Sequence, residues 1–134
     1  MYSTETKIRV RYAETDRMGY VYYGNFAEYF EVGRVESLRE LGLSYKDMED
    51  NGIIMPVLEM NVKYFKPAYY DDLLIIRTTV AEFPTTRIKF ICETYNEANE
   101  LLNKGEIVLV FVNSTTKKPC SPPENFIEKI QPFF

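Results

Sequence analysis

Apolar and polar positions along this chain follow two different periods, and the change falls near Gly52. Upstream, residues 7–12 (KIRVRY) alternate and put Ile8, Val10 and Tyr12 on one face, as a half-buried strand does. Between Asn25 and Leu41 the apolar positions Phe26, Ala27, Tyr29, Phe30, Val32, Gly33, Val35, Leu38 and Leu41 recur at helical spacing. That spacing predicts one long helix with Asn25 as N-cap and Gly42 as its C′ stop. Its apolar positions exceed one narrow stripe, so it is expected to be enclosed on several sides. Gly33 lowers helix propensity by roughly 1 kcal/mol against Ala, which points to a close backbone approach. At ~1.5 Å per residue the helix is about 25 Å long, enough to fill the trough of a curved sheet.

A short second helix is expected over Ser44–Asn51, capped by Ser44 and ended by Gly52. Period-two segments follow at 53–66, 72–83, 86–95 and 105–114, and ENFIEKI after Pro122-Pro123 reads as a terminal helix. The connections PAYYD, PTT and NEANELLNK are short, which favours antiparallel neighbours over parallel crossovers. The order β-α-(α)-β-β-β-β describes an α+β domain, one antiparallel sheet with one long helix. Such a sheet leaves a face and its edges uncovered, so a homodimer or larger assembly is expected.

Composition adds constraints. The 134 residues suffice for one domain, 1–134, with its own core. A hydrophobic content of 46% with 15% aromatics argues against disorder. A net charge of −4 gives no basic footprint for nucleic acid. No segment reads as a signal peptide or a membrane span. Cys92 and Cys120 are not spaced as a redox pair or a zinc knuckle and read as free thiols, with one disulfide as the alternative, so a cytoplasmic setting is expected. The chain contains no histidine. That removes Ser-His-Asp and Cys-His machinery, His acid–base catalysis and the common zinc sites, so no metal is expected.

Chemistry must then rest on carboxylates, tyrosines, backbone amides or a helix end. The stretch RYAETDRMGYVYYGNF places Asp16 between the first strand and the helix. An Asx- or ST-turn formed by Glu14, Thr15 and Asp16 is the plain reading of such a loop. Three features favour more: the residues after it are hydrophobic, Gly19 and Gly24 allow backbone close to a ligand, and the loop feeds a helix N-terminus that favours negative charge. These parts suit acyl transfer from a thioester. Amides near Tyr23 and Gly24 polarise the carbonyl, and the carboxylate attacks its carbon or takes a proton from water. A thiol leaving group, with a pKa of about 8.5, departs without a strong general acid.

The segment RYAETDRMGYVYYGNFAEYFEVGRVESLRELG closely resembles the first third of hotdog-fold acyl-CoA thioesterases of the 4-hydroxybenzoyl-CoA thioesterase type. The shared pattern is Asp16, Gly19, Val21-Tyr22-Tyr23, Asn25-Phe26, Glu31 and Arg34, and PVLEMNVKYFKPAYYDDLLIIRTTV resembles the family's second and third strands. The resemblance implies a sheet wrapped around the central helix, thioester hydrolysis without a cofactor, and CoA lying across the subunit interface of dimers or tetramers. It implies Asp16 as nucleophile or general base and the backbone N–H of Tyr23 at the thioester oxygen. Many relatives carry His where this chain has Tyr23; a backbone donor survives that exchange. Glu14 and Thr15 are assigned no chemistry.

Other residues have plainer expectations. Glu31 and Arg34 are spaced to pair on one helix face, Glu28 and Glu36 share that helix, and Asp71-Asp72 belongs to a turn. Tyr22, Tyr29 and Tyr45 are expected as packing or pocket walls. Lys63, Arg87 and Lys89 are the proposed contacts for CoA phosphates, with Lys66 and Lys117-Lys118 as further cations. An acyl-carrier-protein thioesterase and a non-catalytic acyl-CoA binding module are the alternatives to an acyl-CoA hydrolase.

Overall fold

The computed structural model describes residues 1–134. Its elements are β1 (Tyr2–Arg9), α1 (Asn25–Glu40), α2 (Tyr45–Asp50), β2 (Ile53–Ile54), β3 (Val57–Tyr64), β4 (Leu73–Val80), β5 (Arg87–Tyr95), β6 (Leu101–Val110), β7 (Val112–Asn113) and α3 (Glu124–Ile130). Five strands form one antiparallel sheet in the order β1-β4-β5-β6-β3, and β2 pairs with β7 separately. Helix α1 lies across the inner face of this sheet and buries Phe26, Tyr29, Phe30 and Leu38 against it. The α+β arrangement expected from the sequence is the one observed.

Two glycines set how closely helix and sheet approach. A Cβ on Gly33 would lie 2.6 Å from Thr78 Oγ1 and 3.0 Å from Ile76 Cγ2, both on β4. From the sheet side, a Cβ on Gly105 of β6 would lie 2.8 Å from the Phe30 ring. The helix therefore beds backbone-first on β4 while Phe30 fills the gap over β6. This is the close approach that Gly33 implied.

Helix ends follow local chemistry. Gly42, with φ +80, takes the left-handed position after α1, where glycine carries no Cβ penalty. Ser44 Oγ accepts the Asp47 N–H at 3.0 Å and caps α2.

Four boundaries differ from expectation. β1 spans Tyr2–Arg9, not 7–12: its inward positions include Tyr2 and Thr4, and threonine carries no apolar signal. Val10 is buried after the strand, while Tyr12 is 75% exposed in a 3-10 turn. The segment 53–66 is interrupted at Met55-Pro56 and bulged between Val57 and Glu59, which breaks its alternation. Leu101–Lys104 belongs to β6 instead of the preceding loop, because its bulged register against β5 buries Leu102 and Asn103 in succession. Finally, PAYYD does not join neighbours: β3 and β4 are separated by β5 and β6, and the link crosses the end of the sheet.

Gly33→Ala should destabilise the fold by about 1–3 kcal/mol, since overpacking against Thr78 and Ile76 outweighs the helix-propensity gain of roughly 1 kcal/mol. Denaturant unfolding checks it; a variant as stable as wild type or more stable would show that the Gly33 contact is not limiting.

Candidate active site

The chain leaves β1 through Val10, whose N–H donates to Asp72 O at 2.9 Å, and turns once at Tyr12–Glu14. Glu14 is 8% exposed. Its Oε1 accepts the Arg11 backbone N–H at 2.8 Å and the Tyr29 hydroxyl of α1 at 3.0 Å, and its Oε2 accepts Arg11 Nη2 at 3.0 Å. Its carbonyl accepts the Tyr22 N–H at 3.0 Å and Asn25 Nδ2 at 2.8 Å. Burial would raise the carboxyl pKa, but the bonds from Arg11 and Tyr29 outweigh it and hold the group below the ordinary carboxylate range. The same arrangement pushes the Tyr29 hydroxyl well up, through burial first and the bond to Glu14 second.

Asp16 follows in a tight loop. The Met18 N–H donates to its Oδ1 at 2.8 Å, the Gly19 N–H donates to its carbonyl at 3.0 Å, and its own N–H donates to Tyr20 O at 2.9 Å. Gly19, at φ +89, supplies the positive φ the turn needs. The plain Asx-turn is therefore present. It engages only Oδ1, leaving Oδ2 with no hydrogen bond from the protein. Asp16 is half-buried, and the loop is fixed from below by the Val21 N–H, which donates to Ala68 O at 2.8 Å.

The helix start differs from expectation: Gly24 is the N-cap and Asn25 is the first helical residue. Asn25 makes no cap because its side chain is already committed to Glu14 O. The N–H groups of Tyr23 and Gly24 donate to nothing in the chain, whereas those of Asn25, Phe26 and Ala27 are bonded. Both free donors belong to anchored peptides. Tyr22 O accepts the Asn25 N–H at 2.9 Å; Tyr23 O accepts the Phe26 N–H at 3.3 Å and the Tyr64 hydroxyl at 3.1 Å. A trans peptide points its N–H opposite its carbonyl, so fixing those oxygens also aims the two amides.

Asp16 and Tyr23 line one depression of about 300 Å³, with Phe26, Tyr64 and Phe65 as apolar walls. The structure thus brings Asp16 together with Tyr23 at the helix start, whereas Gly24 adjoins Tyr23 in the chain without lining the depression. Lys63 faces a neighbouring depression that shares the Phe65 wall. Arg87 and Lys89 are not brought to this site: they occupy the other end of β5 from Thr94, which lies across β6 from Tyr64. Seven residues of strand put Arg87 about 23 Å from Thr94, and Lys89 faces Glu82 at 3.8 Å.

Among the remaining candidates, Glu31 and Arg34 do not form the expected ion pair. Glu31 is exposed, whereas Arg34 is 7% exposed with its Nε unbonded, turned into the helix–sheet packing. Glu36 pairs with Arg39. Asp72 Oδ2 accepts the Tyr69 N–H at 2.8 Å, as turn chemistry requires. Cys92 and Cys120 are both free, and burial pushes the Cys92 thiol up to about 12. No helix is long and apolar enough to cross a membrane.

Sequence reading missed Glu14. The signal was its position three residues after Arg11, the spacing at which an acidic side chain reaches back to a turn's first N–H. Because its folded pKa is depressed, its stabilisation is present above the unfolded carboxyl value of about 4.3 and is lost as pH falls through the folded value. Glu14→Gln should cost about 1–3 kcal/mol near neutral pH, and its stability should fall less than that of wild type on acidification. Parallel melts from pH 7 down to strongly acid conditions check this; identical pH slopes would refute the assignment.

Comparison with known proteins identifies the family. The family model of the thioesterase-like superfamily matches residues 10–130. The chain is 35% identical over 119 residues to the putative acyl-CoA thioesterase YneP of Bacillus subtilis (strain 168), covering 89% of this chain and 86% of that protein. It is 31% identical over 124 residues to the acyl-CoA thioester hydrolase YbgC of Escherichia coli O6:H1, covering 92% of each. Among solved structures, a DHNA-CoA thioesterase from Staphylococcus aureus superposes with a TM-score of 0.94 at 37% identity, over 99% of this chain and 91% of that one. With the fold and the sequence match in agreement, this chain belongs to the thioesterase-like superfamily of hotdog-fold proteins.

Proposed function

We propose that residues 1–134 work as one thioesterase domain that hydrolyses acyl-CoA to a free acid and CoA, with Asp16 as the catalytic carboxylate. The observation that carries the reading is that Asp16, with one carboxylate oxygen free of protein hydrogen bonds, lines a single apolar depression with Tyr23, whose anchored N–H is unbonded, as is that of the adjoining Gly24. The thioester oxygen accepts from the N–H groups of Tyr23 and Gly24, which stabilise it as negative charge develops. Asp16 Oδ2 then attacks the acyl carbon and CoA leaves as thiolate, the resulting anhydride being cleaved by water, or Asp16 takes a proton from the attacking water. Neither route needs histidine, because the departing thiol is acidic. The rings of Tyr23, Phe26, Tyr64 and Phe65 favour an aromatic acyl group, in keeping with the similarity to the Staphylococcus aureus protein. Two free thiols are consistent with action in a reducing, cytoplasmic compartment.

The working form is a homo-oligomer. β3 is an edge strand paired only with β6, and Val57, Leu58, Met60 and Tyr64 on it are each 45–52% exposed. A bare apolar edge invites strand pairing, and a second copy of β3 supplies an antiparallel match.

Asp16→Asn should lower kcat by about 10²–10⁴ with the melting temperature unchanged, measured as thiol release from benzoyl-type and naphthoyl-type CoA esters beside straight-chain acyl-CoAs. Retention of most of the wild-type kcat would remove Asp16 from the chemistry, and a preference for long straight chains would remove the aromatic assignment. For the assembly, sedimentation should give a dimer or tetramer for wild type and a smaller species for Leu58→Lys; a monomeric wild type would refute the β3 interface.

A further inference from the structure

We propose that Asn103 is a positioning residue for the active site: it steadies the Tyr64 ring, whose hydroxyl holds Tyr23 in place by its carbonyl. The proposal rests on the acyl-CoA reading above and adds a residue that lines no part of the Asp16 depression. Asn103 lies on β6 with 0% exposure, and neither its Oδ1 nor its Nδ2 is hydrogen-bonded within the chain. No other side chain leaves two buried polar atoms unbonded. Burying an unbonded amide costs free energy, and an apolar group of similar shape in its place would avoid that cost. Polarity kept in a core against stability points to a role other than stability.

Register says what the amide can act on. Asn103 stands directly opposite Thr94 of β5 on one side and Tyr64 of β3 on the other. Such pairs share a face, with Cβ atoms about 4.5–5.5 Å apart. The Thr94 hydroxyl, also at 0% exposure, is unbonded, so it does not hold the amide. The other side is aromatic. The Phe26 ring centroid lies 5.9 Å from that of Tyr64 and 6.3 Å from that of Phe30, and Phe30 rests against Gly105, next on the same face of β6. An amide N–H without an oxygen or nitrogen acceptor is attracted to the negative face of a ring, and Tyr64 is the ring its register supplies. Tyr64 needs this hold. It sits beyond a bulge on an edge strand and is 46% exposed, yet its hydroxyl must stay 3.1 Å from Tyr23 O. Asn103 restrains the ring from within the sheet, and the ring restrains the residue whose unbonded N–H lines the depression.

The test compares wild type, Asn103→Leu, Tyr64→Phe and the double variant by thiol release from an acyl-CoA and by NMR relaxation of the Tyr23 and Gly24 amides. Asn103→Leu should melt no lower than wild type, leave KM unchanged and lower kcat by roughly tenfold or more. The order parameters of both amides should drop below the value of about 0.85 typical of rigid backbone. Tyr64→Phe should do the same. Asn103→Leu should add nothing to it, because its effect runs through the Tyr64 hydroxyl. Asn103→Ser carries the same expectation for kcat and the amides and replaces the leucine variant if that one does not fold. Additive losses in the double variant, or unchanged kcat and amides in the single ones, would overturn the assignment. The two proposals fail separately: wild type cleaving the thioester without dependence on Asn103 sinks the positioning role alone, whereas amides loosened by Asn103→Leu in a protein that cleaves nothing sink the hydrolase alone.

Discussion

A buried carboxylate that must never be left unpaired organises the end of this molecule that holds the proposed active site. Removing a carboxylate from water costs several kcal/mol, recovered only when charged and polar partners surround it in good geometry. Glu14 meets that condition with three donors from two residues: the backbone and guanidinium of Arg11 in its own turn, and the hydroxyl of Tyr29 on α1. Its carbonyl extends the same node to Tyr22 and Asn25. The end of β1, the Asp16 loop and the first turn of α1 are therefore one hydrogen-bonded unit. Losing the Glu14 charge loosens all three together.

The unit divides two acids only two residues apart into separate roles. Glu14 is saturated by donors and enclosed, which stabilises its anion but leaves it no reach. Asp16 gives one oxygen to its own turn, leaves the other without a protein hydrogen bond, and lines an apolar depression with Tyr23, whose N–H is unbonded. Environment, not residue type, separates the enclosed structural acid from the acid proposed to react. The helix contributes less through its macrodipole than through geometry: Tyr64, Phe26 and Asn25 fix the carbonyls of the two peptides whose N–H groups are unbonded. Donors that are already aimed need no reorganisation when charge develops.

Much of this was legible from residue pattern. The central helix, its Gly42 stop, the Ser44 cap and the close approach at Gly33 follow from local rules, and the structure shows each of them. The placement of Asp16 against a helix start was also readable, because hydrophobic residues in a loop need a reason. What was not legible depended on distant partners. Glu14 looks like half of a surface pair with Arg11 until Tyr29 is known to lie on it. Arg34 looked like the partner of Glu31 by spacing, yet Arg34 is buried in the helix–sheet packing and Glu31 stays outside. The two parts of the long 53–66 segment could not be assigned to faces by alternation, because the bulge inside it adds a residue.

That bulge decides what β3 can do. With Leu58 as the extra residue, Val57 pairs with Leu109 and Met60 with Ile107, both inward positions of β6, although Val57 and Met60 are three apart. A strand with strict alternation would have sent one of the two outward. Beyond the bulge the count of two resumes, so Val62 and Tyr64 point to the helix side and Asn61 and Lys63 to the outer face. Tyr64 can then reach Tyr23 O at 3.1 Å from within, while Lys63 stands opposite Lys104 outside. Adjacent residues of one edge strand thus serve opposite faces of the sheet, one holding the peptide that aims an amide and the other holding a charge. The strand's outer edge stays bare for a second copy. Shifting the register by a single residue would exchange Tyr64 and Lys63 and remove the hydroxyl that anchors Tyr23 O. The inserted residue is thus as much a part of the site as the side chains that line it.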